Sequence, residues 1–336
     1  MKKQPIRYID LFAGIGGFRT AMQTLEGDIP SECVFTSEID KFARRTYEAW
    51  YLAGLDQAEL ETVFKGDITQ VRAQEIQPHD LLMGGFPCQP FSRAGRQKGF
   101  GDTRGTLFFD IERILKLHRP KYVLLENVKG LRGHDGGQTL EIIVKRLERL
   151  GYHVDYGVLN ARDFGVPQNR ERLFIVGIKR DGALTPFEFP KGDGKGRDSV
   201  HLKDVLDSLR EPRLSQFQIS ERLWEGHQRR LAKHRKNGNG FGYSLFDRGS
   251  KYVNTISARY YKDGSEVLIK VRRGNEPPRK ITPGEGLRLQ GFPDERQFPR
   301  GVSNAQAYKQ IGNAVAVPVV QHVLRNMLLA GGDIDA

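Results

Sequence analysis

Cysteine is nearly absent: Cys33 and Cys88 are the only two in 336 residues. That excludes a disulfide framework and an all-cysteine metal site, and it points to a reducing compartment. Long apolar runs are missing as well. No stretch of about 18 apolar residues occurs, which argues against a helical membrane span. The opening MKKQPIRYIDLF lacks the continuous apolar segment of a secretory signal. Eight histidines are scattered without ligand spacing, so no catalytic metal is expected. There is no internal repeat and no low-complexity tract. Negative charge is in shorter supply than positive: 41 Asp/Glu stand against 53 Lys/Arg, a net +12. Such a balance suits a polyanionic partner, nucleic acid ahead of an acidic membrane.

The apolar residues that are present fall into a regular order up to about residue 180. Short runs at 6–12, 33–38, 80–84 and 121–126 read as strands, and LFIVGI at 173–178 reads as another. Between them, 107–118 and 139–150 carry helical spacing, and Gly151 ends the second. Alternation of this kind predicts an α/β fold with a doubly wound, mostly parallel sheet, whose ligands sit beyond the carboxyl ends of the strands. From 181 to 279, glycine, proline and mixed charge dominate, with strand-like runs only at 253–257 and 266–271. This stretch is expected to be a second, smaller and irregular domain. Helical patterning returns from 280, and 315–329 reads as a final helix. The expected organisation is therefore 1–180 plus 280–336 as one domain and 181–279 as the other.

The chemistry-bearing motifs fall at strand ends. In Asp10-Leu-Phe-Ala-Gly-Ile-Gly-Gly-Phe18, the glycines Gly14, Gly16 and Gly17 follow a strand and open a helix. They permit either a tight turn or close approach of the backbone to a ligand. The dinucleotide pattern would need a further glycine where Arg19 stands. Glu38 ends the next strand, where an acid can accept from ribose hydroxyls. Asp67 ends a third segment and is placed to accept from an adenine amino group. Each acid alone can be a cap, but the set points to an adenosine-containing ligand. In Gly84-Gly-Phe-Pro-Cys-Gln-Pro-Phe-Ser92, Cys88 lies between two prolines directly after a strand, the posture of a nucleophile. Cys33, in an apolar strand, reads as inert. The following loop carries Arg93, Arg96 and Lys98 among glycines, either a basic lid over a phosphate backbone or a solvated loop. Glu126 ends the strand KYVLL, where a partly buried carboxyl can be protonated and donate to a ring nitrogen. Arg170 and Arg172 stand two apart in an extended segment, so their guanidinium groups can lie on one face and hold a base carbonyl, a carboxylate or phosphates.

Together these motifs resemble the cytosine-5 DNA methyltransferase family of the bacterial restriction–modification kind. The order DLFAGIGGF, an acid, GDIT, FPCQPFS, ENV, QNRER is that family's order, and the likeness continues through 280–293 and 306–315. It spans nearly the whole chain outside the variable stretch at 181–278. The resemblance implies a Rossmann-like catalytic domain, S-adenosylmethionine as methyl donor and duplex DNA as substrate, with the target cytosine flipped out. It implies that Cys88 adds to carbon 6, that Glu126 engages ring nitrogen 3, and that Arg172, supported by Arg170, holds the base carbonyl. Phe12, Gly14, Gly16, Gly17, Glu38, Ile39, Asp67 and Ile68 would bind the cofactor, and Asn313 and Val315 would close its pocket. Ile39 is a departure: many relatives carry tryptophan there, so an aliphatic contact would replace stacking on adenine.

The variable stretch then corresponds to a target-recognition domain. Between Arg222 and Arg273, thirteen Lys/Arg stand against four Asp/Glu, which suits a face that meets phosphates. Residues 238–243 and 255–269 are similar to those of relatives that read CCGG or CC-N-GG. Arg259 is a candidate guanine reader, with a phosphate contact as the equal alternative. A monomer in the bacterial cytoplasm, associated with the nucleoid, is the corresponding expectation. Two other readings use the same scaffold: an RNA cytosine-5 methyltransferase, and a catalytically inactive DNA-binding regulator.

Overall fold

The computed structural model describes residues 4–27, 29–87, 107–180, 186–192, 200–208, 212–238, 242–271 and 276–334. The chain divides into two compact units. One comprises Met1–Leu159, Glu171–Pro190 and Val319–Ala336; the other comprises Asn160–Arg170 and Lys191–Pro318.

The first unit is built on a seven-stranded sheet. Its strands are β1 (Ile6–Leu11), β2 (Ser31–Ser37), β3 (Phe64–Lys65), β4 (Leu81–Gly85), β5 (Tyr122–Val128), β6 (Tyr152–Asn160) and β8 (Glu171–Lys179), in the order β3-β2-β1-β4-β5-β8-β6. The pairs β3–β2, β2–β1, β1–β4 and β4–β5 are parallel; β8 runs antiparallel to β5. Leu81, Leu82 and Met83 in β4, like Val123, Leu124 and Leu125 in β5, are fully buried. Strands covered on both faces read as continuous apolar runs for this reason. Helices α1 (Gly17–Gln23), α2 (Lys41–Tyr51), α3 (Gln57–Val63), α4 (Phe108–His118) and α5 (Gln138–Arg149) fall between the strands. Asp40 caps α2 by accepting from the N–H groups of Phe42 and Ala43. Gly151, at φ +93°, follows the end of α5 in the left-handed conformation its position requires.

Strand order reverses between β1 and β4. That is the switch point at which a crevice opens beyond the carboxyl ends of a parallel sheet. Register aligns those ends: Leu11 lies opposite both Ser37 and Gly84, and Gly85 lies opposite Glu126. Because β8 is antiparallel, its first residues reach the same edge, with Arg172 opposite Val128.

The second unit has short strands, β7 (Gln168–Asn169) with β10 (Val253–Asn254) and β9 (Leu245–Phe246) with β11 (Leu268–Ile269). Its helices are α6 (Leu202–Val205), α7 (Glu221–Lys236), α8 (Pro283–Arg288) and α9 (Asn304–Asn313); α10 (Val317–Ala330) begins here and continues into the first unit. A buried ion pair, Arg279 with Glu285, organises its centre through two hydrogen bonds of 2.7 Å, and Glu285 also completes the capping box of α8 with Thr282.

The compact units group the chain differently from the expected division into 1–180 plus 280–336 and 181–279. Residues 160–170 and 280–318 belong to the second unit. Gln168 explains part of this, because its side chain donates to the carbonyl of Leu289 and accepts from the N–H of Ile256. The 181–279 stretch is also less irregular than expected, since α7 runs for 16 residues. Its packed positions are few, Leu223, Trp224, His227 and Leu231, so the apolar periodicity is too thin to stand out.

Candidate active site

The glycine turn after β1 is held from two sides. Phe12, Gly14 and Gly16 all adopt positive φ, at 56°, 56° and 80°. For Phe12 this is a strained conformation, of the kind that concentrates at ligand sites. From β2, the N–H of Gly14 donates to Glu38 Oε2 at 2.7 Å, and the N–H of Asp40 donates to Glu38 Oε1 at 2.7 Å. Burial pushes the Glu38 carboxyl up, while these two N–H groups pull it back down. Each carboxylate oxygen keeps a further acceptor direction for a ligand hydroxyl. From α2, Tyr51 donates to the carbonyl of Gly16 at 3.0 Å, and its ring occupies the space that a Cβ at Gly16 would need. Arg19 lies over the Tyr51 ring, 4.9 Å from its centroid.

Beside Glu38, Ile39 is 72 % exposed, an apolar side chain held open at a strand end. Asp67 accepts from the N–H and hydroxyl of Thr69 and caps the short turn that contains buried Ile68. Asp10, fully buried at the end of β1, has two carboxyl oxygens without a hydrogen-bond partner among the described residues. Burial raises its pKa to about 8, against the pull of Arg19. A positive-φ turn, an acid braced by that turn, an open aliphatic side chain and a second acid two strands away fit an adenosine-type cofactor.

At the other side of the switch point, Glu126 and Arg172 form an ion pair, Nε to Oε1, at 3.0 Å, and both side chains are largely buried. Burial lowers the pKa of Arg172, and the Glu126 carboxylate opposes this. Gly85 leaves room for the acid: a Cβ there would lie 3.4 Å from Glu126 Oε2. Buried Asn127 donates from Nδ2 to the carbonyl of Phe86 at 2.8 Å, so β5 grips the backbone two residues before Cys88. Cys88, Arg93, Arg96 and Lys98 lie outside the described residues. Cys33 is a contrast: burial pushes its thiol up, and its Sγ lies 3.4 Å from the Thr36 hydroxyl.

Arg170 needs a correction. Its spacing from Arg172 suggests one paired cation site, but the two guanidinium groups have separate partners. Arg170 is buried and donates to the main-chain carbonyls of Ile256, Gly312 and Ala314, at 3.1, 3.0 and 2.6 Å. Its role in the second unit is to tie the 255–259 segment to the 312–315 turn, and it is not available to a substrate carbonyl. Asn313 in that turn is exposed and Val315 buried. A Cβ at Gly312 would overlap the backbone of Ser257 and Ala258, so only glycine permits this approach. Arg259 follows directly and is exposed.

Sequence reasoning missed Asn127, Tyr51 and the clasp made by Arg170. Asn127 carries a local signal, since it adjoins Glu126 in the same motif. Tyr51 carries none, lying 35 residues from the carbonyl it holds.

A mostly parallel sheet, with residues suited to an adenosine-type cofactor on one side of its switch point and a buried acid–guanidinium pair on the other, suits a cofactor-dependent enzyme of the doubly wound class. Residues 6–329 match the family described as C-5 cytosine-specific DNA methylase. The chain is 52% identical over 324 residues to the type II methyltransferase M.NlaX of Neisseria lactamica, covering 96% of each. It is 40% identical over 342 residues to M.HpaII of Haemophilus parainfluenzae, covering 97% of this chain and 90% of that one. The fold matches the crystal structure of the S. pombe Dnmt2 methyltransferase with a TM-score of 0.74, at 22% identity, covering 98% of this chain and 100% of that one. The chain belongs to the C-5 cytosine-specific DNA methylases. It is an S-adenosylmethionine-dependent DNA (cytosine-5) methyltransferase.

Proposed function

We propose that this enzyme methylates a cytosine within a CCGG or CC-N-GG site of duplex DNA, with Cys88 as nucleophile, and works as a cytoplasmic, nucleoid-associated monomer. The observation that carries the chemistry is the Glu126–Arg172 pair. Its two groups, 3.0 Å apart, match adjacent positions on a pyrimidine, ring nitrogen 3 and the carbonyl at carbon 2. A cytosine must leave the duplex to meet them.

In this reading the flipped base meets the pair. The Cys88 thiolate forms a bond to carbon 6, and the electron pair displaced from the 5,6 double bond moves toward nitrogen 3. Glu126, carrying a proton when the base is bound, donates it to nitrogen 3, and Arg172 donates to the carbonyl, so that the charge does not build up on the ring. Carbon 5 becomes the nucleophile, and S-adenosylmethionine supplies an electrophilic methyl group when bound. Loss of the carbon 5 proton to a base then restores the double bond and expels Cys88. The covalent route divides one difficult step into easier ones. Phe12, Glu38, Ile39, Asp67, Ile68 and the glycine turn would hold the cofactor, and the resemblance adds Asn313 and Val315 as candidate cofactor residues. Arg93, Arg96 and Lys98 would close over the phosphate backbone, and Arg259 would read a guanine. The choice of target rests on the likeness of 238–243 and 255–269 to relatives that read such sites.

Methylation of random-sequence duplex DNA followed by bisulfite sequencing tests this directly. Methylcytosine is expected at one short motif containing CC and GG. Absence of methylcytosine would overturn the activity, and a different motif would overturn the site. Cys88→Ala should lose both transfer and the covalent complex with 5-fluorocytosine DNA. A retained adduct would mean that the nucleophile lies elsewhere.

A further inference from the structure

Helix α7 has two faces of different chemistry. The inner face is engaged within the second unit: the Trp224 ring lies 4.7 Å from that of Tyr243, His227 Nε2 lies 3.2 Å from the carbonyl of Asp263, and Leu231 fills the space that a Cβ at Gly242 would need. At 3.6 residues per turn, Arg222, Gly226, Arg229, Lys233 and Lys236 fall on the opposite face. The four basic residues there are exposed. Glu225 stands among them and is paired with Arg229 at 3.3 Å. Arg222, Lys233 and Lys236 form no ion pair among the described residues.

Gly226 adds an independent observation. Glycine is among the least favourable residues in a helix interior, yet a Cβ at Gly226 would meet nothing within 4 Å. Packing inside the unit therefore does not call for it. A glycine in the middle of an outward basic stripe leaves room for a bulky partner to approach the helix backbone. The stripe from Arg222 to Lys236 is about 21 Å long, more than half a turn of duplex DNA. Its direction separates it from base reading: Tyr243 and Asp263, which lie within the candidate recognition segments 238–243 and 255–269, contact the inner face.

We infer that the outer face of α7 binds the phosphate backbone of duplex DNA flanking the recognised site. This rests on the duplex-DNA reading above and extends it to a second contact surface. It gives the enzyme a length-dependent affinity for DNA that base recognition alone does not supply. The basic last turn of α7 also complements its carbonyl end. That effect would change stability, without making binding depend on duplex length.

The test compares full-length wild type with the triple variant Arg222→Gln, Lys233→Gln, Lys236→Gln. Kd is measured across a salt series on duplexes of about 14 and about 40 base pairs, each with one mapped site at its centre. Wild type should bind the longer duplex more tightly. In the variant that advantage should shrink on the order of tenfold, and the slope of log Kd against log salt on the longer duplex should fall by about 2 to 3. An unchanged length advantage and slope would overturn the proposal and leave a solvated face. Equal weakening on both duplexes would overturn it too, by placing the helix at the site itself. A wild type that methylates neither duplex would instead count against the activity, so the two failures are distinguishable. Gly226→Gln provides a second arm: melting temperature should rise as helix propensity improves, while the length advantage falls. A rise in melting temperature with the advantage intact would overturn the close approach at Gly226.

Discussion

Arg170 and Arg172 are two residues apart and have unlike surroundings, and the difference is measurable. Arg172 is partnered by Glu126 at 3.0 Å. Replacing it with lysine keeps a charge but loses the planar fork that could hold a base carbonyl beside the acid. Single-turnover methyl transfer should fall on the order of 100-fold, with little change in the urea midpoint. Arg170→Lys should do the reverse. A single ammonium cannot span the carbonyls of Ile256, Gly312 and Ala314, and leaving buried carbonyls unpaired should cost about 3 kcal/mol in urea unfolding. If Arg170→Lys slowed transfer without losing stability, its reading as a clasp would fail. The sequence made both arginines visible, because QNRER is a recognisable string. It could not separate them, because the carbonyls that hold Arg170 lie 86 to 144 residues further along the chain. Glu126, by contrast, was legible in place, since one strand end determines its position.

Among the elements, strand ends were read well and loops between distant elements were not. The apolar runs of β1, β4 and β5 are buried on both faces, so composition alone revealed them. The brace on the glycine turn depends on Tyr51, which arrives from α2 and has no sequence cue. Gly16→Ala tests that brace. The new methyl group would meet the Tyr51 ring, at a backbone φ of 80° that alanine rarely adopts. Cofactor affinity, measured by equilibrium dialysis of labelled S-adenosylmethionine, should drop on the order of tenfold or more. Truncating Tyr51 in the same chain should recover only the steric part of the loss, because the φ penalty remains. Full recovery would show that the left-handed conformation at Gly16 is not needed. Helix α7 marks the opposite limit. Four packed side chains in sixteen residues gave no readable periodicity, and the charge that made the stretch look irregular is the feature that gives its outer face a use.

For the whole molecule, the buried ionisable groups set a pH profile with a definite sign. His79 is buried against Gln77 and His118, and burial lowers its pKa from 6.5 to about 4. The unfolded chain takes up that proton first, so the contribution of His79 is complete above pH 6.5 and is lost as pH falls toward 4. Asp10 acts in the opposite sense. Its pKa is raised from 3.8 to about 8, so the unfolded chain ionises first and stability is lost as pH rises through that interval. Between pH 4 and 6.5 the two slopes oppose each other. Above 6.5 the His79 slope is gone and the Asp10 slope continues, at about 1.4 kcal/mol per pH unit. The cofactor-free protein should therefore lose about 2 kcal/mol between pH 6.5 and 8, read as a lower urea midpoint at constant m. Asp10→Asn should flatten that limb and leave the acid limb steeper, since the Asp10 slope no longer opposes that of His79. A wild-type midpoint that does not move between pH 6.5 and 8 would mean that Asp10 is already charged in the fold. Its carboxylate would then require a partner that compensates burial.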